Sequence, residues 1–107
     1  MSGSIVQFRP TIGYGFEQLT VTTSVQVLTP SLYKEASTSG GALSAFLTIE
    51  SGDIRYTYDG TTPSNTVGHK LLNGNSLVLS GQNQMAQFKA FRIGSTDATV
   101  SITYERE

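Results

Sequence analysis

The chain has 107 residues, with seven basic against eight acidic side chains for a net charge of -1, and it contains neither cysteine nor tryptophan. A chain this long holds one domain with a modest core and leaves no room for a separate catalytic domain. Without cysteine there is no disulfide and no thiolate metal site. Scattered, balanced charge also argues against nucleic acid and membrane as partners, because both need a basic patch.

Eleven glycines, many Ser and Thr between β-branched runs and a charged fraction of only 14% describe an all-β domain with many turns. The start, Met1-Ser2-Gly3-Ser4, has no charged head followed by an apolar run, and no stretch approaches the ~20 apolar residues that cross a bilayer. The expectation is a soluble chain made in the cytoplasm.

In chain order, Ile5-Val6-Gln7-Phe8 suits a short strand that Pro10 ends. Gly13 and Gly15 bracket Tyr14, a pattern that suits an arm lying on a surface. Residues 1–15 therefore read as an N-terminal arm or a first strand, and residues 16–107 as one β-sandwich domain. Leu19 and Val21, then Val25 and Val27, alternate with polar residues up to Pro30, giving two short strands or one bent strand. Ser31 to Gly41 reads as loop, although one helical turn from Leu32 to Ala36 fits its composition. Leu43, Ala45, Leu47 and Ile49 alternate as a core strand, with a helix start at Ala42-Leu43-Ser44-Ala45 as the alternative.

Ser51-Gly52-Asp53 is a short turn, so this strand is expected to form an antiparallel hairpin with the next one, Ile54 to Asp59. In that strand Ile54, Tyr56 and Tyr58 face one side and Arg55, Thr57 and Asp59 the other. Asp59-Gly60 supplies a turn acceptor and a conformationally free residue, and Pro63 stops the ladder. Ser64 to Gly74 reads as a polar loop holding His69, and Ser76 to Ser80 as a strand. Met85 to Ile93 reads as a strand with Ala86, Phe88 and Ala90 on one face. Gly94 to Asp97 is expected to be a hairpin turn into Ala98 to Tyr104, whose Val100, Ile102 and Tyr104 face the core. The total is an antiparallel β-sandwich or jelly roll of about eight short strands.

Chemistry is sparse. His69 is the sole histidine and reads as a surface loop residue; no serine sits in a G-x-S-x-G context, so no enzyme activity is expected. One histidine cannot build a zinc site, and no calcium-loop spacing occurs, so neither a metal nor another cofactor is expected. Asp53, Asp59 and Asp97 read as turn stabilisers. Phe46 and Phe91 stand out, because each falls opposite its strand's apolar face. That places them either in a strand buried on both sides or against a partner subunit.

The run Ile54 to Pro63, followed by Val67-Gly68-His69, Leu72, Gly74, Leu77, Leu79, Phe88 to Arg92, Gly94-Ser95-Thr96 and Val100 to Tyr104, resembles small β proteins encoded among the head and neck genes of tailed bacteriophages. The likeness covers about the last half of the chain. The Tyr56-to-Pro63 turn is also similar to one in immunoglobulin-type accessory domains of sugar-acting enzymes, where it is structural. The phage resemblance implies a virion structural protein, foremost a capsid decoration or cement protein, with neck and tail roles next. It implies the major capsid protein or other virion proteins as partners and a homo-oligomer, a trimer among the forms. The expected interface residues are Phe8, Arg9 and Tyr14 on the arm, with Phe46 and Phe91 on the strands. The competing class is a carbohydrate-binding module that uses an exposed Tyr or Phe near Arg55, Asp59 or His69.

Overall fold

A computed structural model describes residues 11–34 and 41–106. Among them, seven strands form two antiparallel sheets, so the chain is an all-β sandwich. The four-stranded sheet has the order β1-β7-β2-β5, from β1 (Ile12–Val21), β7 (Ala98–Arg106), β2 (Ser44–Ser51) and β5 (Ser76–Ser80). The three-stranded sheet has the order β4-β3-β6, from β4 (His69–Leu71), β3 (Asp53–Thr57) and β6 (Lys89–Ile93). Two short helices, α1 (Pro30–Tyr33) and α2 (Gln82–Gln87), complete the described elements.

Alternation decides which face of each strand meets the core. On β7, Ala98, Val100, Ile102 and Tyr104 are buried while Thr99, Ser101 and Thr103 turn outward. Ala45, Leu47 and Ile49 of β2 meet them in register, and Ile54 and Ala90 of the other sheet, with Phe88 just before β6, close the core. One polar group that reaches this layer is fully engaged. Glu17 points inward beside Ile102, accepts the Tyr104 hydroxyl, and takes the Thr29 N–H at 3.2 Å and the Thr29 hydroxyl at 2.8 Å. Burial and this carboxylate together push the Tyr104 phenol far above its ordinary value.

Several connections differ from the sequence reading. β2 and β3 do not pair: β2 is already flanked by β7 and β5, and the turn at Gly52 carries the chain over to the second sheet. Gly52 has φ +76 and lies so close to β7 that a Cβ there would stand 2.8 Å from Ala98 Cα. The turn is thus a corner between layers rather than a hairpin. Gly94 to Asp97 is likewise a crossing, from β6 in one sheet to β7 in the other, clasped by the Arg92–Asp97 ion pair. Only β3 and β4 are sequence neighbours that share a ladder among the described strands.

Two helical turns replace expected irregular or extended chain. Pro30 opens α1 at the position where its missing N–H costs nothing, and Tyr33 is buried; the segment read as loop therefore starts as a helix. Met85 and Phe88, three apart, both point into the core, which a helix ending at Gln87 allows and a strand does not; Ala86 is exposed. The expected strand from Met85 begins only at Lys89. The break at residues 22–26 returns the chain to the second sheet, where Gln26 and Ala90 exchange backbone hydrogen bonds at 3.0 and 2.9 Å.

Residues 12–15 belong to β1, so a boundary at residue 15 falls inside a strand. Tyr14 sits at a register shift between Gly13 and Gly15, not on a detached arm. The strand expected at residues 5–8 lies outside the described residues.

Candidate functional site

Register assembles a feature on the four-stranded sheet. Phe16 on β1 pairs with Thr103 on β7, Thr103 with Phe46 on β2, and Phe46 with Val78 on β5. All four side chains share the outward face, so they form one row across the whole sheet. Phe16, Phe46 and Val78 are 60%, 42% and 56% exposed, Phe46 directly beside Val78 and one strand, at Thr103, from Phe16. The next row, Gln18, Ser101, Thr48 and Ser76, is polar and uncharged. On the other side Glu105 is engaged by the hydroxyls of Thr11, at 2.9 Å, and Ser44, at 3.3 Å. The sheet therefore presents an apolar band with an uncharged polar row on one side and Glu105 on the other.

A second feature lies where β3 runs out. Ile54, Tyr56 and Tyr58 follow one another on one face and grade from buried to 43% exposed. Buried Phe88 stacks on Tyr56 with ring centroids 5.9 Å apart, and Tyr56 on Tyr58 at 6.3 Å. His69 is not a loop residue: it opens β4, pairs with Tyr56, and its ring lies 5.4 Å from Tyr56 and 6.2 Å from Tyr58. Beyond the strand, Asp59 accepts the Thr61 N–H at 3.0 Å, and these hydrogen bonds hold its carboxyl below the ordinary range. Tyr58, Asp59 and His69, with Thr57, Thr61, Val67 and Gly68, line a depression of about 470 Å³. Its rim is tied down: Lys89 Nζ donates to Gly60 O at 3.1 Å, and Arg55 donates to Asn65 O at 3.1 Å and Gly68 O at 2.7 Å.

No protein-family model, curated protein or solved structure matches the chain.

The expected interface residues separate. Phe46 is central to the apolar row. Phe91 pairs with Arg55 on the outer face of the other sheet and is half-buried, so the two outlying phenylalanines do not share a surface. Tyr14 is anchored within the domain: its hydroxyl donates to Leu32 O at 2.8 Å, and the Arg106 guanidinium lies 5.1 Å from its ring centre. Phe8 and Arg9 lie outside the described residues. Among the described residues no three His, Cys, Asp or Glu side chains gather as a metal site, and no helix is long and apolar enough to cross a membrane.

Phe16 and Val78 are the row members that sequence reasoning missed. Each looks ordinary in its own strand, and the signal appears only when register places them beside Phe46. Asp59 and His69, named together in the carbohydrate-binding alternative but ten residues apart in sequence, are brought to one rim by the β3–β4 ladder.

Proposed function

We propose that this chain is a structural assembly protein of a virus particle, foremost a bacteriophage capsid decoration or cement protein, with a neck or tail component as the nearest variant. The observation that carries the assembly part is the exposed row Phe16, Thr103, Phe46 and Val78. The virion part comes from the resemblance of the second half of the chain to phage head and neck proteins.

The magnitudes favour repeated, individually weak contacts. Four strands about 4.8 Å apart and about 25 Å long present on the order of 500 Å², less than the ~800 Å² per partner of a standard stable interface. A lone contact through this face is therefore weak, and it becomes durable when symmetry or a particle lattice repeats it. A net charge of only -1 adds little long-range repulsion between copies. The proposed partners are the major capsid protein or other virion proteins together with copies of this chain, a trimer among the forms.

Light scattering on the purified chain, alone and after mixing with phage heads that lack it, tests this reading. The expected result is a self-associated species or a chain that travels with the heads. A monomer at every concentration that stays apart from the heads overturns it.

A further inference from the structure

We propose that the depression at the end of β3 is a binding site for a neutral carbohydrate, with one pyranose ring laid on Tyr58 and a hydroxyl held by Asp59. This goes beyond the assembly reading and does not depend on it, since the apolar row lies on the other sheet.

The aromatic side of the site is built rather than incidental. Phe88 is fixed in the core, Tyr56 stacks on it, and Tyr58 continues the series into solvent. Tyr58 thus has a packed foundation and an exposed ring, so little ordering entropy remains to be lost when a ligand covers it. The depression's volume, about 470 Å³, falls in the range of roughly 300–1,000 Å³ typical of small-molecule sites.

The ring geometry selects among ligand classes. Tyr56 and Tyr58 differ in plane by 24°, His69 and Tyr58 by 33°, and His69 and Tyr56 by 44°. These rings make a shelf with no perpendicular walls, which suits the flat C–H face of a sugar and fails to box a quaternary or methylated ammonium. Asp59 supplies the polar side. Its lowered carboxyl stays ionised at neutral pH and accepts hydroxyl hydrogens, while the Lys89 and Arg55 cations on the rim offset it so that no one sign of charge dominates. The Thr61 N–H, at 3.0 Å, fixes the carboxylate beside the shelf. Neutral sugars satisfy both demands, apolar face against ring and hydroxyl against carboxylate.

The test is a set of NMR titrations of the isotope-labelled full chain with neutral glucan, mannan, galactan and chitin oligosaccharides. A sialylated trisaccharide and tetramethylammonium serve as the anionic and cationic probes. At least one neutral series is expected to shift the amides of residues 57–61 and 67–69 in a saturable manner. Tyr58→Ala is expected to weaken that binding by at least about tenfold, equivalent to ~1.4 kcal/mol, while Tyr58→Phe keeps it. Retained amide dispersion in both variants separates a lost contact from lost folding. No saturable shift at these residues with any neutral sugar overturns the proposal. So does a response confined to the anionic or cationic probe, or binding that survives Tyr58→Ala.

Discussion

Tyr104, near the end of the chain, donates its hydroxyl to Glu17 in the first described strand, and the same carboxylate receives both the N–H and the hydroxyl of Thr29. One acidic side chain therefore ties β1, β7 and the segment leading into α1. Tyr104→Phe removes one charge-assisted hydrogen bond and should cost ~1.5–3 kcal/mol. Glu17→Ala, which strands three donors, should cost more, and Glu17→Gln less than Glu17→Ala because an amide keeps an acceptor in place. Urea unfolding of the three variants checks the order.

The same contact sets an alkaline limit. The phenol of Tyr104 is raised from an ordinary value of 10.0, so the folded state favours its neutral form. Stability from this group is fully present below about pH 10 and is lost as pH rises further, because the unfolded chain releases the proton more readily. Tyr33 and Tyr56 are raised in the same direction by burial. Unfolding should thus accompany phenolate formation, followed by phenolate absorbance and circular dichroism together, and Tyr104→Phe should flatten the slope of stability against pH.

Gly52 and Gly74 both have positive φ, +76 and +87, but differ in surroundings. At Gly74 a Cβ meets nothing within 4 Å, so Gly74→Ala should cost only the backbone penalty of ~1–2 kcal/mol. At Gly52 the Cβ collides with the backbone of Ala98 as well, so Gly52→Ala should cost clearly more. Thermal melts of the two variants give the comparison.

Arg55 holds two carbonyls of the loop before β4, Asn65 O and Gly68 O. A lysine has the charge but not the two-pronged geometry. Arg55→Lys should therefore speed hydrogen exchange in residues 64–68 while leaving the central amides of β7 protected. Equal acceleration in both regions would contradict a local role for this side chain.

The alternating strands could be read from sequence because burial there has a period of two: Ala45-Leu47-Ile49 and Val100-Ile102-Tyr104 point inward as their spacing demands. Strand partners could not. Gly52 and the Gly94–Asp97 turn look like hairpin turns locally, and only the packing of Gly52 on Ala98 shows that the chain there changes sheets. The helix at Gln82–Gln87 was hidden by Phe88 and Ala90, which extend an apparent alternation backward to Ala86; the spacing of Met85 and Phe88 was the missed signal. Phe46 announced itself by facing the wrong side of its strand. Its companions Phe16 and Val78 did not, because a row across a sheet is a property of register, which the sequence of one strand does not contain.

The row itself is the most direct point of test. Phe46→Ser removes its centre from a position 42% exposed to solvent, so the fold should persist with a loss of about 1 kcal/mol from strand preference and cross-strand packing. Sedimentation of wild-type and Phe46→Ser chains, with and without phage heads lacking the protein, should show wild type self-associating or travelling with the heads and the variant doing neither. Identical sedimentation of the two folded chains under both conditions would contradict assembly through this face.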